Sequence, residues 1–160
     1  MEKNNLLEDG NILDYIEEDT IKNKFLVFKT GEEEFGIDIA CVKEIINMVN
    51  VTQVPSTPNF VKGIINLRGE IIPIIDVRTR FKMEEIEYND ITCIIVIEQE
   101  GDKIGLIVDE VNEVKYIFEA NISAPPSAKL SYANQFVKNL GRIDDRVILL
   151  IEATKLLYEE

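Results

Sequence analysis

The side chains most often used for catalysis are scarce in this 160-residue sequence, and histidine is absent altogether. Without histidine the chain cannot build a Ser-His-Asp triad, a Cys-His pair or a phosphohistidine, and most kinds of zinc site are excluded as well. The two cysteines, Cys41 and Cys93, lie far apart and form no CxxC motif. We therefore interpret them as buried thiols of a protein from a reducing compartment.

Asp76 is the carboxylate best placed for phosphoryl chemistry, because it follows the apolar run 71–75 (IIPII) as the phosphate-accepting aspartate of a receiver domain follows a strand. That fold also needs alternating strands and long helices, which this sequence lacks. We favour a structural role in which Asp76 caps a short helix that begins at Val77. Pro73 predicts that the preceding strand lies at a sheet edge or carries a bulge.

Two acidic runs, 32–34 (EEE) and 84–87 (EEIE), could bind a hard cation. The spacing of an EF-hand is absent, however, and solvated turns explain both runs. A carboxylate pair of the glycosidase type stays open as an alternative, although nothing in the sequence positions one. The sequence therefore predicts no metal, no cofactor and no catalytic residue, in a protein that is not an enzyme.

The charge balance argues against nucleic acid and membrane as partners. Acidic residues outnumber basic ones 30 to 17, which gives a net charge of −13. Such a surface repels phosphate backbones and anionic lipids on average. The N-terminus has no basic segment followed by a long apolar run, and no apolar stretch reaches membrane-spanning length, so we expect a cytoplasmic protein.

Short strand-like runs separated by turn residues dominate the chain after residue 23, which predicts an all-β fold of barrels or a sandwich. Phe35, Ile37 and Ile39 alternate with Gly36 and Asp38, as in a half-buried strand. The runs pair into four predicted hairpins: 24–29 with 35–39, 63–67 with 71–75, 91–97 with 104–108, and 135–143 with 146–151.

Helical segments are few and short in this interpretation. One or two turns are predicted at 40–46 and at 77–82, and 152–158 (EATKLLY) is the best candidate for a helix. Residues 1–22 form a polar, acidic arm with scattered apolar residues at Leu6, Leu7, Leu13 and Ile16. Because Gly10 and Asn11 interrupt their spacing, we expect a flexible arm or a marginal helix, followed by a domain over 23–160.

The two halves of the chain resemble each other. Residues 35–45 (FGIDIACVKEI) match 104–114 (IGLIVDEVNEV) at an offset of 69, and 71–77 match 147–153 at an offset of 76. A proline-bearing loop lies between the matches in each half, with Pro55 and Pro58 in one and Pro125 and Pro126 in the other. A repeat of this length predicts two similar β subdomains rather than a solenoid.

Three stretches resemble the CheW family of bacterial chemotaxis adaptors over nearly the whole chain, from about residue 24 to 157. They read FLVFKTGEEEFGIDIACVKEI (25–45), VPSTPNFVKGIINLRGEIIPIIDVRTRF (54–81) and IGLIVDEVNEV (104–114). The resemblance implies two intertwined SH3-like five-stranded β barrels packed on a shared hydrophobic seam, with a short C-terminal helix.

The resemblance also implies a function and partners. Members of the family couple the cytoplasmic tips of chemoreceptors, the methyl-accepting chemotaxis proteins, to the regulatory domain of the histidine kinase CheA. We therefore expect a non-enzymatic adaptor located at membrane-associated receptor arrays through its partners, without membrane insertion of its own. A regulatory-domain-like fragment of a CheA or CheV type protein is the main alternative, and a small carboxylate-dependent enzyme is another.

The family's receptor-binding groove lies between the barrels, and motif position transfers it to residues of both halves. The implied groove residues are Ile39, Val42, Glu44, Ile45 and Arg68 from the first half, with Gly105, Val111 and Val114 from the second. Taken singly, each apolar one is more typical of a core than of a contact surface, and Arg68 could be an ordinary solvated hairpin charge. The kinase-binding residues are not assigned. We expect Glu44 and Arg68 to meet at the groove rim, and Val42 and Ile45 to share one face of a helical turn.

Overall fold

The computed structural model describes residues 21–125, 132–153 and 155–158 and is built almost entirely from strands. Of the predicted arm 1–22, residues 1–20 lie outside this range, as does Pro126. The strands are β1 Lys24–Thr30, β2 Glu33–Asp38, β3 Val42–Asn47, β4 Val61–Leu67, β5 Glu70–Asp76, β6 Cys93–Gln99, β7 Asp102–Val108, β8 Glu110–Tyr116, β9 Ile122–Ser123, β10 Val137–Ile143 and β11 Arg146–Ile151. The helices are α1 Val77–Arg80 and α2 Lys155–Tyr158, and 3₁₀ turns cover Ile39–Cys41, Glu119–Asn121 and Tyr132–Phe136.

All four predicted hairpins are confirmed, as β1–β2, β4–β5, β6–β7 and β10–β11. The β4–β5 connection has two residues, Arg68 and Gly69, with φ angles of 50° and 90°. Positive φ at both central positions is what a type I′ turn requires, and this turn matches the right-handed twist of the flanking strands. The turn therefore fixes the position of Arg68 at the end of the β4–β5 hairpin.

The helix prediction for 40–46 is wrong. Only a 3₁₀ turn forms at Ile39–Cys41, where the Asp38 side chain accepts a hydrogen bond from the Ala40 amide (2.9 Å), and the next residues form β3. Three of the six residues of β3 are β-branched, and the segment pairs with β6, which favours a strand. The short α1 is confirmed, and its cap is Asp76, whose Oδ1 accepts from the Thr79 amide at 3.3 Å.

The strands form two sheets, and each sheet takes strands from both halves of the chain. The six-stranded sheet has the order β8-β1-β2-β11-β10-β9, and the five-stranded sheet has the order β3-β6-β7-β5-β4. Each sheet therefore contains a hairpin from the other half of the chain, β1–β2 between β8 and β11 and β6–β7 between β3 and β5. The predicted pair of five-stranded barrels is confirmed in its class, with the two-residue β9 as an additional strand in one sheet.

The pairing registers follow the internal repeat. Val42 of β3 pairs with Ile97 of β6, and Val111 of β8 pairs with Phe28 of β1. Val42 and Val111 are 69 residues apart, and so are Phe28 and Ile97. The parallel contacts match as well: β5 pairs with β7, and β11 pairs with β2. The sequence repeat therefore reflects two copies of one topology, related strand by strand.

The core divides into three clusters, because neighbouring residues of a strand point to opposite sides of its sheet. One cluster is shared between the sheets, and we call it the seam; each of the other two lies within one sheet. The seam includes Leu26, Phe28, Phe35, Ile37, Ile95, Ile97, Ile104, Leu106 and Val108. The inner cluster of the five-stranded sheet is Ile65, Ile72, Ile74, Ile94, Val96 and Ile107, and that of the six-stranded sheet is Phe25, Val27, Ile117, Ile148 and Leu150. The predicted shared hydrophobic seam is thus confirmed.

Among the described residues, no helix has the length and apolar character needed to cross a bilayer.

Candidate functional site

The predicted contact between Glu44 and Arg68 is confirmed, since an Arg68 guanidinium nitrogen bonds the Glu44 carboxylate. Glu44 lies on β3 and Arg68 in the β4–β5 turn, at opposite edges of the five-stranded sheet. The ion pair therefore spans the two edges of the curled sheet. The Arg68 side chain keeps 68% of its surface exposed and that of Glu44 keeps 32%, so the guanidinium remains accessible to another molecule.

A matching ion pair occurs in the second half. Glu113, the repeat equivalent of Glu44, bonds Nη2 of Arg146 at 3.2 Å. Arg146 also holds Glu34 by two hydrogen bonds, of 2.9 and 2.8 Å, and Asn112 donates to Glu34 at 2.8 Å. The hydrogen bond from Arg146 is the main reason that the pKa of Glu34 is lowered below its ordinary value. Both sheets thus carry a Glu–Arg link between an edge strand and a hairpin.

Ile45 and Val114 are exposed aliphatic residues at equivalent positions of the edge strands β3 and β8. Ile45 is 45% exposed and Val114 is 50% exposed. Ile45 pairs directly with Ile95 on β6, and Val114 pairs with Leu26 on β1. Directly paired residues point to the same side of a sheet, and both of these partners belong to the seam. Ile45 and Val114 therefore extend the seam to the protein surface.

Three further predicted groove residues, Ile39, Val42 and Val111, are half-buried and pack against the seam. We call the set of Ile39, Val42, Ile45, Val111 and Val114 the seam face. The half-buried members of this set pack against the core, and the exposed members lie on the surface above them. The predicted groove residues are therefore partly core and partly surface.

Val42 and Ile45 do share a face, although not through a helical turn. In a regular strand, residues three apart face opposite sides. The register of β3 against β6 shifts between Val42 and Glu44, so that the extra residue Lys43 returns Ile45 to the side of Val42. Glu44, between them, pairs with Val96 of the inner cluster and faces Arg68 instead.

The second half repeats this arrangement at β8. The register against β1 shifts between Val27 and Phe28, which leaves Asn112 as the extra residue between Val111 and Glu113. Val111 and Val114 consequently both face the seam. The bulge positions are themselves equivalent, because Lys43 and Asn112 are 69 residues apart.

Gly105 does not belong to the seam face. It is buried, and a Cβ atom there would lie 2.5 Å from Cδ1 of Ile74 and 2.9 Å from Cγ2 of Ile94, both in an inner cluster. Its repeat equivalent Gly36 faces Leu150 in the same way, at 2.7 Å. Both glycines therefore permit close packing between parallel strands, which corrects the interpretation of Gly105 as a groove residue.

The residues considered for chemistry have structural partners. Asp76 is 5% exposed, and its second carboxylate oxygen accepts a hydrogen bond of 2.6 Å from the Tyr88 hydroxyl. Its carboxylate is therefore not open to solvent as a phosphate-accepting aspartate would be. Burial raises the pKa of the Cys41 thiol to about 11, which keeps it protonated and poorly nucleophilic at neutral pH. Within the described part of the chain, no group of three or more acidic or cysteine side chains could hold a metal ion.

An exposed aromatic pair, Tyr116 and Phe118, was not predicted as a candidate. Tyr116 ends β8 and Phe118 follows two residues later, with 47% and 63% of their surfaces exposed. Their alternation with Val114 was visible in the sequence, but an apolar residue in a strand is usually assigned to a core. The structure shows that β8 is an edge strand and that the two aromatic side chains at its end are exposed.

Comparison with known proteins identifies the family. A model of the CheW-like domain family matches residues 24–160. The chemotaxis protein CheW of Klebsiella aerogenes is 37% identical over 142 residues, which cover 89% of this chain and 86% of the relative. The chemotaxis protein CheW of Bacillus subtilis is 32% identical over 137 residues, covering 86% of this chain and 88% of the relative.

A solved structure agrees with both sequence comparisons. The crystal structure of the scaffolding protein TtCheW from Thermoanaerobacter tengcongensis superimposes with a TM-score of 0.80 at 40% identity, covering 85% of this chain and 92% of that one. Fold, repeat and motifs thus agree with the family model over most of the sequence, and the chain belongs to the CheW family.

Proposed function

We propose that this chain is a non-enzymatic chemotaxis adaptor that couples the cytoplasmic tips of chemoreceptors to the histidine kinase CheA. In this role it works in the cytoplasm, at membrane-associated receptor arrays that it reaches through its partners. The names of its relatives support an adaptor, since they are called chemotaxis proteins and one is called a scaffolding protein. An adaptor needs surfaces that fit two partners rather than a reactive centre.

One observation carries the receptor-binding part of the proposal. Ile45 and Val114 come from opposite halves of the chain, yet both extend the shared seam to the surface. Each follows a β-bulge that turns it to this side, and bulges of this kind commonly re-aim a side chain toward a functional surface. An exposed apolar surface that continues a buried core is typical of a partner-binding site.

The chemistry of the seam face fits an amphipathic helix or helical hairpin. Such a helix lays its apolar stripe on an apolar groove and leaves its polar residues at the rim. Ile45 and Val114 would contact the stripe, while half-buried Val42 and Val111 hold them in place. Arg68 lies beside β3 with most of its side chain exposed, where it can bond an acidic or carbonyl group of the receptor.

Glu44 has a positioning role in this proposal. Its carboxylate holds the Arg68 guanidinium at the edge of β3, whereas its own surface is mostly covered. Gly105 is not part of this receptor surface, because it is buried beside Ile74. The kinase-binding residues are not assigned to particular strands.

The alternatives are less well supported. The relatives named CheW align over 86% and 88% of their own lengths, which favours an adaptor over a regulatory-domain fragment of a CheA or CheV type protein. A carboxylate-dependent enzyme would need an accessible, positioned pair of carboxylates. Glu34 is held by Arg146 and Asp76 by Tyr88, so these two carboxylates are already occupied.

The test is to map amide NMR shifts of the full chain on addition of a receptor-tip fragment. The proposal predicts the largest changes at Ile45, Val114 and Arg68, with small changes in the β6–β7 turn. Shifts concentrated elsewhere, with β3 and β8 unaffected, would contradict the assignment of the seam face. No shift at any residue would contradict receptor binding itself.

A further inference from the structure

The aromatic pair Tyr116 and Phe118 forms a second uncovered apolar surface beside the seam face. The two rings lie 5.0 Å apart at an interplanar angle of 87°, an edge-to-face contact. Phe118 has the largest exposed fraction of any large hydrophobic residue in the described chain, at 63%. With Val114, which also belongs to the seam face, they make an apolar strip at the end of β8, and we call these three residues the β8 strip. A continuous strip of this kind indicates something that covers it.

The N-terminal segment of the chain joins the described structure directly beside this strip. The Ile117 amide donates a hydrogen bond of 2.9 Å to the Asn23 carbonyl, and the Asn23 side chain donates one of 3.1 Å to Glu119. One residue further, Lys24 pairs with Tyr116 across β1 and β8. The segment 1–20 therefore joins the described structure close in space to the β8 strip.

The composition of residues 1–20 complements that surface. The segment carries seven acidic residues and one lysine, with apolar residues at Leu6, Leu7, Ile12, Leu13, Tyr15 and Ile16. Lys24 pairs with Tyr116 and Lys22 lies two residues before Lys24, and neither lysine forms an ion pair with another described residue. Ile12, Leu13 and Ile16 have the spacing of one helical face.

We propose that residues 1–20 bind back onto the β8 strip of the same chain, with Ile12, Leu13 and Ile16 against Tyr116 and Phe118. The acidic residues of the segment then lie near Lys22 and Lys24. A tethered segment has an effective concentration in the millimolar range, so a contact of modest intrinsic affinity is enough to keep the strip covered. This inference concerns the free protein and does not depend on its receptor or kinase.

The experiment compares the full chain with a truncation that begins at Ile21, by amide NMR. Removal of residues 1–20 is expected to shift the amide signals of Lys24 and of residues 114–119 while leaving those around Ile71 unchanged. In the full chain, residues 12–18 should show the positive heteronuclear NOE values of an ordered backbone at low salt. Raising the salt concentration to 1 M should lower these values, because it screens the acidic segment from the lysines.

Two substitutions in the full chain sharpen the test. Phe118→Ser is expected to release the segment, so that residues 12–18 move to random-coil shifts and their NOE values fall. Ile71→Ser is the matched control, because Ile71 is an equally exposed aliphatic residue (59%) on the other sheet, and it should have no such effect. Since both residues are largely exposed, both variants should remain folded.

Random-coil shifts and low NOE values for residues 12–18 in the unmodified chain would overturn the proposal. Shifts at 114–119 that depend on protein concentration and persist after truncation would overturn it too, because a second copy of the chain would then cover the strip. Equal release by Phe118→Ser and Ile71→Ser would show that the segment does not recognise the β8 strip.

Discussion

The ion pair between Arg68 and Glu44 joins the β4–β5 turn to β3, which lie at opposite edges of the same five-stranded sheet. Glu113 and Arg146 make the equivalent link in the other sheet. The two links differ in exposure, since the Arg68 side chain is 68% exposed and that of Arg146 only 37%. Arg68 is thus the arginine available to a partner, and Arg146 is the one committed to the fold.

Arg68→Ala should weaken receptor binding while changing stability little. An exposed ion pair contributes about 0–1 kcal/mol, which corresponds to a decrease in Tm of at most about 4 °C in a domain of this size. Calorimetry and titration with a receptor-tip fragment measure the two effects. Arg142→Ala is the control, because Arg142 is exposed on β10 and should affect neither. Severe unfolding of Arg68→Ala would show that the residue is structural.

Val114→Ala should reduce receptor affinity about 5- to 30-fold, the effect of removing an interface anchor worth about 1–2 kcal/mol. The matched control is Val147→Ala, since both valines are 50% exposed and Val147 lies three strands away in the same sheet. The same titration should detect no loss for the control. Equal affinities of the two variants would remove Val114 from the seam face.

Val42→Ala should lower the thermal midpoint more than Val114→Ala does. Val42 is half-buried against the seam, so its truncation leaves a partial cavity, whereas Val114 loses only surface contacts. Chemical denaturation of both variants, with receptor affinity measured on the folded protein, separates the effects. A collapse in stability for Val114→Ala, with normal binding by the folded fraction, would make that valine a core residue.

Gly105→Ala should destabilise the protein by about 1–3 kcal/mol, the usual cost of overpacking, because its Cβ would lie 2.5 Å from Cδ1 of Ile74. Ile74→Val removes that methyl group and should recover part of the loss in the double variant. Urea unfolding of the two single variants and the double variant gives the coupling between the sites. Additive effects would mean that the two side chains do not meet.

Glu34 makes stability depend on pH in the acid range. Its pKa in the folded protein lies below the ordinary value of 4.5, mainly because Arg146 donates a hydrogen bond to it. This stabilisation is complete above the unfolded pKa and is lost as the pH falls through the folded one. The unfolding free energy of the wild type should therefore decrease more steeply below about pH 4.5 than that of Glu34→Gln. Parallel pH profiles would show that the pair contributes nothing.

The sequence predicts the hairpins and the repeat well, because turn residues and alternating apolar residues carry that information locally. It predicts β3 wrongly for an instructive reason. The spacing of three between Val42 and Ile45 is shared by a helical face and by a bulged strand, and only the pairing of β3 with β6 distinguishes them. The conclusion that both residues share a face survives, with Lys43 rather than a helical turn as its cause.

Pro73 gives a second example. It predicts an edge strand or a bulge, but β5 lies between β7 and β4. The contacts with β7 begin only at Ile74, so the missing amide of Pro73 is not required by that neighbour. The exchange of the β1–β2 and β6–β7 hairpins between the halves was likewise beyond the sequence, since it depends on which distant strands pair.

The most direct test of the adaptor proposal is co-sedimentation of CheA with receptor tips held on vesicles. CheA should remain mainly in the supernatant without this chain and move to the pellet when the chain is added, together with the chain itself. The Arg68→Ala variant should recruit less CheA than Arg142→Ala at equal concentration. Recovery of CheA in the supernatant at every concentration of the folded wild-type chain would contradict the proposed coupling.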